Sequence, residues 1–211
     1  MPRSVKVIET FTSIQGESSF AGKVCFFIRL AGCNLRCKYC DTEYAREEGK
    51  NMEISDLMNK AEQAKGEIIE ITGGEPLLQE NFPVLANELK NINGKTILVE
   101  TNGSRDISAI PKGVIAVVDV KCPGSGECGS FDTDNLGRLR ENDEIKFVLS
   151  DRHDYEWART FLNEHNLTEK QKVFFSPVHG ILNPARLAKW IMEDGLKVRL
   201  GIQLHKLINL P

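Results

Sequence analysis

The feature that most constrains the fold is a regular alternation of short apolar segments with amphipathic helical segments. The apolar, β-branched segments predict strands at 24–30, 67–72, 96–101, 114–120, 144–149, 172–175 and 196–203. Between them, the spacing of apolar residues predicts helices at 54–64, 77–92, 151–165 and 184–193. Because the strands lack strict period-two alternation, we expect an α/β fold with a mostly parallel sheet covered by helices.

The chain length narrows the choice among parallel architectures. Six or seven predicted strands within 211 residues are too few for a complete eight-stranded barrel, which takes about 250 residues. A partial, open barrel and a doubly wound sheet both stay open. In either architecture, functional side chains gather at the carboxyl ends of the strands. No repeat, low-complexity tract or linker interrupts the sequence, so we expect one domain over residues 1–211.

Composition excludes several classes of protein. The chain has 27 Lys and Arg against 30 Asp and Glu, a net charge of −3, which argues against a protein that coats nucleic acid. Its longest apolar runs fall short of the ~18 residues of a membrane-spanning helix, and its first residues lack the apolar core of a secretory signal. We therefore expect a cytoplasmic protein with no nucleic-acid or membrane partner. In that reducing compartment, the six cysteines need a role other than disulfide bonding.

Three of the six cysteines lie within eight residues, directly after the predicted strand 24–30. Cys33, Cys37 and Cys40 have the spacing C-x3-C-x2-C. A structural zinc site takes four ligands, whereas a [4Fe–4S] cluster held by three cysteines leaves one iron free to bind a substrate or cofactor. Three small buried side chains without a metal are the remaining alternative. The tight spacing, the preceding glycine and the aromatic Tyr39 favour the cluster.

The cysteine pattern with an aromatic residue before the last cysteine resembles the radical S-adenosylmethionine (SAM) superfamily. In that superfamily the free iron chelates SAM, and one-electron transfer cleaves SAM to a 5′-deoxyadenosyl radical. The resemblance implies that Cys33, Cys37 and Cys40 bind the cluster and that Tyr39, Cys40 and Asp41 contact SAM. The later sequence Gly73-Gly74-Glu75-Pro76 resembles the superfamily's glycine-rich SAM motif, in which backbone groups approach the cofactor closely. Gly74 is the implied contact.

A finer resemblance, to the 7-carboxy-7-deazaguanine synthase family of radical SAM enzymes, covers essentially the whole chain. It rests on SIQGE at 13–17, RLAGCNL at 29–35, CDT at 40–42, DVKCPGSGE at 119–127 and QLHK at 203–206. The family resemblance implies an incomplete (β/α) barrel of about six mostly parallel strands with few helices. It also implies a homodimer and an external electron donor similar to flavodoxin or ferredoxin.

The reaction implied is a ring contraction in 7-deazapurine (queuosine) biosynthesis. In it, 6-carboxy-5,6,7,8-tetrahydropterin becomes 7-carboxy-7-deazaguanine with loss of ammonia, and SAM is regenerated. The further SAM contacts implied are Asp119, Val120, Lys121, Ser176, Pro177, Val178 and His179. The implied substrate contacts are Ile14, Gln15, Gly16, Arg29, Thr72 and Pro211, the last through the carboxylate that ends the chain.

Two of these residues also have simpler interpretations. Thr42 matches the family's protein ligand to Mg²⁺, a hard ion that accepts a hydroxyl oxygen, but such a hydroxyl also commonly caps a helix. Arg29 lies in an apolar strand, where an unpaired guanidinium is costly. Its carboxylate partner is either the substrate or an internal Asp or Glu.

Other details of the sequence bear on the resemblance. Ser18 and Tyr39 depart from the glycine and tryptophan that are usual in the family. We expect Cys25 in the core, and Cys122 and Cys128 without a second cluster.

Two other functions compete with this one. A glycyl-radical-enzyme activating protein is a similarly small radical SAM enzyme, but Thr42 and the IQGE segment at 14–17 argue against it. An adaptor or electron carrier stabilised by zinc or an iron–sulfur centre would need no SAM motif and normally has a fourth ligand.

Overall fold

A curved sheet forms the centre of the molecule, whose computed structural model describes residues 3–211. Within that part of the chain the sheet has nine strands: β1 (Ser4–Ile14), β2 (Val24–Leu30), β3 (Lys50–Glu53), β4 (Ile68–Gly73), β5 (Thr96–Thr101), β6 (Ile115–Asp119), β7 (Glu144–Leu149), β8 (Lys172–Pro177) and β9 (Arg199–Leu200). The helices are α1 (Ile54–Gln63), α2 (Phe82–Leu89), α3 (Asn135–Arg138), α4 (Arg152–His165), α5 (Pro184–Asp194) and α6 (Leu204–Leu207).

The strand order identifies the architecture as an incomplete barrel. The order is β3-β1-β2-β4-β5-β6-β7-β8-β9, and every pair from β2 to β9 is parallel. From β4 onward the strands follow the chain in one direction, without the reversal of order that a doubly wound sheet has. The predicted α/β class with a mostly parallel sheet is therefore confirmed.

The predicted elements differ from the structure in three places. The N-terminal strands β1 and β3, which pair antiparallel at one edge, were not predicted, so the sheet is larger than six strands. The helix predicted at 77–92 is shorter in the structure, where α2 begins at Phe82. Pro83 lacks an amide hydrogen and is tolerated only in the first turn of a helix, so the helix cannot begin much earlier. In the predicted strand 196–203, two residues pair with β8.

Along the strands, alternate side chains face outward, into the core that the helices cover, and inward, into the barrel. In β4, Ile69 and Ile71 pack outward in the cluster that α1 and α2 cover. Ile68 points inward, into a small cluster with Cys25, Phe27 and Leu98. A second outer cluster lies against β7 and β8 and contains Cys122. The inner cluster closes the end of the barrel where the parallel strands begin, which leaves the opposite end for a cavity.

None of the helices within residues 3–211 is long and apolar enough to cross a bilayer.

The end of β4 depends on a glycine. Gly73 has φ +138°, and a Cβ there would lie 2.1 Å from the carbonyl oxygen of Leu30. We predict that Gly73→Ala lowers the free energy of unfolding by at least about 2 kcal/mol, because it combines backbone strain with a clash against main chain. Urea unfolding at equilibrium measures this difference.

Gly137→Ala is the matched control, since a Cβ on this helical glycine meets nothing within 4 Å. It should leave stability unchanged or raise it slightly. Equal stabilities of the two variants would show that the geometry at Gly73 is not required.

Candidate active site

A cavity of about 650 Å³ opens inside the curved sheet, at the carboxyl ends of the parallel strands. Seventeen of the predicted site residues line it: Ile14, Gln15, Gly16, Arg29, Cys33, Cys37, Tyr39, Cys40, Asp41, Thr42, Thr72, Gly74, Asp119, Lys121, Val178, His179 and Pro211. Three others do not. Val120 packs in the outer core, and Ser176 and Pro177 are buried within β8. The fold thus brings residues from both ends of the sequence to one site.

The cysteine loop lies at the rim of this cavity and is held by the loop that follows β6. The Arg36 amide donates to Glu127 Oε1 at 2.6 Å, and the Lys38 amide donates to the carbonyl of Ser125 at 2.9 Å. Tyr39 donates its hydroxyl to the carbonyl of Val148 in β7, at 2.9 Å. These bonds show the structural role of the 122–127 segment: together with β7, it holds the cysteine loop in place.

The three cysteine sulfurs are not gathered to the spacing that a single zinc ion imposes. Within residues 3–211, one group of three side chains has all its potential metal-ligand atoms within 4.8 Å of one another: Asp151, His153 and Asp154. The three cysteines do not form such a group. The three cysteine sulfurs are therefore spread more widely than the ~3.8 Å separation that tetrahedral Zn–S bonds of ~2.3 Å impose. Burial raises the pKa of the Cys37 thiol, so a bound cation is needed to hold it as a thiolate.

The Gly-Gly-Glu-Pro turn brings the end of β4 against the cysteine loop. A Cβ on Gly74 would lie 2.0 Å from the carbonyl oxygen of Gly32 and 2.9 Å from Cβ of Cys33. The buried Glu75 carboxylate accepts hydrogen bonds from Thr101 Oγ1 at 2.8 Å and from the Asn102 amide at 2.7 Å. Glu75 therefore joins the ends of β4 and β5, and the glycine lets backbone approach the cysteine loop.

A layer of charged side chains lies below the cysteine loop, inside the sheet. The ammonium of Lys146 contacts Glu17 at 2.8 Å, Glu100, and Asp119 at 3.8 Å. Lys121 donates to Asp119 Oδ2 at 2.8 Å. Burial by itself would lower the pKa of Lys146, but the surrounding carboxylates raise it well above its usual value. The ammonium is therefore charged and fixes the three carboxylates in place.

Asp119 keeps one oxygen without a partner. Its Oδ1 is buried and accepts no hydrogen bond within residues 3–211, although the residue lines the cavity. A buried acceptor without a donor is costly, so this oxygen fits a ligand that brings an N–H or O–H group. The amino group and the ribose hydroxyls of SAM are such donors.

Arg29 has an internal carboxylate partner. Its Nε donates to Glu9 Oε1 at 2.8 Å, and the guanidinium carbon lies 5.5 Å from the centre of the Phe11 ring. Within the described residues this is the one hydrogen bond that the side chain makes. The internal partner and a ligand are thus compatible, because the terminal nitrogens of this cavity-lining residue are free to bind a carboxylate.

Thr42 does not cap the helical turn that follows it. Although it stands at the cap position before Glu43–Arg46, its side chain makes no capping bond and lies 3.1 Å from Asp41 Oδ1 instead. Desolvation raises the pKa of Asp41, but the hydrogen bond and charge of Lys206 outweigh it and lower the pKa to about 2. Two hard oxygen donors thus sit side by side next to Cys40, which suits Mg²⁺.

The C-terminal segment crosses the open side of the barrel. Gln203 donates to Glu17 Oε1 at 2.8 Å, the Leu204 amide donates to the carbonyl of Gly16 at 3.0 Å, and Lys206 donates to Asp41 at 2.6 Å. At its end, the Pro211 oxygen accepts from Ser13 Oγ at 2.7 Å. The segment therefore connects the 13–17 segment to the cysteine loop.

Several cavity-lining residues were not predicted from the sequence, chiefly Glu17, Glu70, Glu100, Lys146, His205 and Lys206. A signal for two of them exists, because Glu70 and Lys146 are charges inside the apolar segments EIIEIT and EIKFVL. The same reasoning that singled out Arg29 would have found them. Glu17 and Lys206 lie outside the strands, and their only signal in the sequence is their place in the SIQGE and QLHK segments of the family resemblance.

Comparison with known proteins identifies the family of this chain. The family model of the radical SAM superfamily matches residues 27–117. The 7-carboxy-7-deazaguanine synthase of Koribacter versatilis (strain Ellin345) is 45% identical, over 98% of both chains. The synthase of Chlorobaculum tepidum is 40% identical, over 98% of this chain and 95% of its own. The crystal structure of QueE from Escherichia coli has the same fold, with a TM-score of 0.78 and 22% identity over 96% of this chain and 95% of that one.

Relatives that are this similar along nearly the full length establish the family, and with it an enzyme that uses SAM and a [4Fe–4S] cluster in 7-deazapurine synthesis. The chain belongs to the 7-carboxy-7-deazaguanine synthase family of the radical SAM superfamily.

Proposed function

We propose that this enzyme converts 6-carboxy-5,6,7,8-tetrahydropterin to 7-carboxy-7-deazaguanine with loss of ammonia, and that it uses Mg²⁺ and regenerates SAM. The observation that carries the proposal is one cavity that has three cysteines at its rim and Arg29 in its wall. A cavity of about 650 Å³ suits a cofactor together with a small heterocycle. The names of the relatives supply the product class.

Cofactor binding is assigned to residues at the rim. Cys33, Cys37 and Cys40 would hold the cluster through three irons, and Asp119 would accept a hydrogen bond from SAM with its free oxygen. When bound, the cluster supplies the electron that cleaves SAM to a carbon radical. The other SAM contacts that we propose are Tyr39, Asp41, Gly74, Val120, Lys121, Ser176, Pro177, Val178 and His179. Of these, Val120, Ser176 and Pro177 do not line the cavity themselves, but each lies within two residues of Asp119, Lys121 or Val178, which do.

Substrate binding is assigned to the inner wall. The free nitrogens of Arg29 would bind the substrate carboxylate, and the Thr72 hydroxyl, 3.5 Å from Glu100 Oε2, lies on the neighbouring strand in register with Arg29. Ile14, Gln15 and Gly16 close one side, and Pro211 closes the mouth. The C-terminal segment would shield this wall from water, which would limit side reactions of a reactive intermediate.

Mg²⁺ is assigned to the hydroxyl of Thr42. The neighbouring Asp41 carboxylate would orient this hydroxyl, and the remaining ligands would be substrate oxygens or water.

Four further properties belong to the proposal. One sheet joins strands from Ser4 to Leu200, so we propose a single radical SAM domain over residues 1–211. Exposed Ile181, Met192 and Leu207 offer apolar surface for a homodimer. The electron comes from an external flavodoxin or ferredoxin-like donor, and the enzyme acts in the cytoplasm.

The glycyl-radical activase interpretation fits less well, because a cavity crossed by the C-terminal segment suits a small molecule and not a protein loop.

The function is tested by anaerobic reconstitution followed by incubation with reductant, SAM, Mg²⁺ and 6-carboxytetrahydropterin. We expect 7-carboxy-7-deazaguanine, with more than one product molecule formed per SAM consumed, measured by liquid chromatography with mass detection. If the protein forms 5′-deoxyadenosine but no deazapurine, the substrate assignment is wrong.

The cluster assignment is tested by metal analysis of the reconstituted protein. We expect about four iron and four sulfide per chain, and loss of most of both in Cys33→Ala, Cys37→Ala and Cys40→Ala. Cys128→Ala is the control, because this exposed cysteine lies outside the cavity. One zinc per chain, or equal losses in the control, would contradict a three-cysteine cluster.

The Mg²⁺ assignment is tested with Thr42→Val, which keeps the shape of the side chain and removes its oxygen. We expect the Mg²⁺ concentration for half-maximal rate to rise about tenfold, with iron content unchanged, because one hard ligand is lost. Thr42→Ser should behave like the wild-type enzyme. An unchanged Mg²⁺ response in Thr42→Val would remove this residue from the metal site.

A further inference from the structure

Glu70 is a buried carboxyl group that the assignments above leave without a role. It projects from the middle of β4, is 4% exposed, and lines the cavity two residues below Thr72. It forms no salt bridge within residues 3–211. Its single hydrogen bond in that part of the chain is to Oε2, from the side-chain amide of Gln15. Its other oxygen, Oε1, accepts no hydrogen bond from these residues and is not among their buried unpaired atoms, so it faces the cavity.

The surroundings of Glu70 disfavour its charge in the absence of a ligand. Burial and the neighbouring Glu100 carboxylate raise its pKa well above the usual value, and Lys146 opposes this only in part. Lys146 is already engaged by Glu17, Glu100 and Asp119. A ligand that brings N–H donors to Glu70 would supply the compensation that the protein does not.

Arg29 and Glu70 lie at different depths of the inner wall. Arg29 is in register with Thr72 across the β2–β4 pair, and Phe27 is in register with Glu70. Glu70 therefore lies two residues, about 7 Å, deeper than Arg29. At the depth of Glu70, Phe11 and Phe27 lie beside it on β1 and β2, their rings stack with centres 4.9 Å apart, and both line the cavity. The wall thus presents a cation nearer the mouth and, deeper, a flat apolar surface with a carboxyl group beside it.

This order matches a flat heterocycle that has a carboxylate at one end and adjacent N–H donors at the other. A 6-carboxypterin has this arrangement: its ring separates the 6-carboxylate from the 2-amino group and the N3–H. We propose that Glu70 binds the 2-amino and N3–H groups of the pterin, and that it makes the enzyme select a 2-amino heterocycle over a 2-oxo one. The inference rests on the function proposed above and adds the residue that sets its specificity.

Gln15 orients the carboxyl group of Glu70. Its amide nitrogen donates to Glu70 Oε2, and its own oxygen accepts from the Glu17 amide at 2.9 Å. The Gln15 side chain cannot rotate without losing both bonds, so the Glu70 oxygen that faces the cavity has a fixed direction. Charge-assisted hydrogen bonds from two ligand N–H groups to such a carboxylate are strong and directional.

The test uses two stable probes, 6-carboxypterin and 6-carboxylumazine, which differ in having an amino group or an oxo group at position 2. Binding to the reconstituted protein with SAM is measured by calorimetry. We expect wild type to prefer the pterin by about 10- to 100-fold, because the lumazine sets an oxo group against the carboxylate. In Glu70→Gln the new amide donates to the oxo group, so the preference should disappear or reverse.

Glu144→Gln is the matched control. Glu144 is also a buried glutamate on a central strand, but it does not line the cavity and accepts a bond from the Ser19 amide. This variant should keep the wild-type preference for the pterin.

Each result has a distinct meaning. Equal binding of the two probes to wild type, or an unchanged preference in Glu70→Gln, overturns the role of Glu70 while product formation still supports the proposed function. The inference stays falsifiable even if Glu70→Gln does not fold, because equal binding of the two probes to wild type overturns it without the variant. If wild type binds neither probe and forms no deazapurine, it is the proposed function that fails.

Discussion

The ammonium of Lys146, buried inside the sheet among three carboxylates, is the interaction on which the site depends. Glu17 precedes β2, Glu100 lies in β5, Asp119 ends β6, and Lys146 itself lies in β7. A buried ammonium without partners would cost several kcal/mol, so these four parts of the chain must meet. Through Glu17 the network also holds Gln203 of the C-terminal segment. The buried ammonium of Lys146 thereby holds the C-terminal segment, through Glu17, across the open side of the barrel.

The network also separates two chemistries within one cavity. Above it lie the cysteine loop, the glycine turn after β4 and the free oxygen of Asp119, which suit the cluster and SAM. Below and beside it lie the stacked rings of Phe11 and Phe27 and the carboxyl group of Glu70, which suit a flat heterocycle. Residues suited to the cofactor and residues suited to the heterocycle therefore face the same enclosed space. Proximity of this kind accounts for a large part of enzymatic rate enhancement.

Much of this arrangement was predictable because it follows from local sequence. The apolar segments located the parallel strands, and the rule that functional groups follow strand ends placed the cysteine loop, Thr72 and Asp119 at one edge. The antiparallel strands β1 and β3 were missed, because their pairing depends on partners distant in sequence. The charged layer was missed for a related reason: the charge of Lys146 inside EIKFVL indicates a buried partner, but its partners Glu17, Glu100 and Asp119 lie far from it in sequence. The short α2 could have been predicted from Pro83.

We propose, above all, that a single cavity holds both the cysteine-bound cluster and the pterin. The measurement that tests it most directly is a crystal structure of the anaerobically reconstituted protein with SAM and 6-carboxypterin. We predict a four-iron cluster attached to the protein through Cys33, Cys37 and Cys40, with the pterin carboxylate within hydrogen-bond distance of Arg29. A pterin bound outside this cavity, or a single metal ion on the three cysteines, would contradict the account.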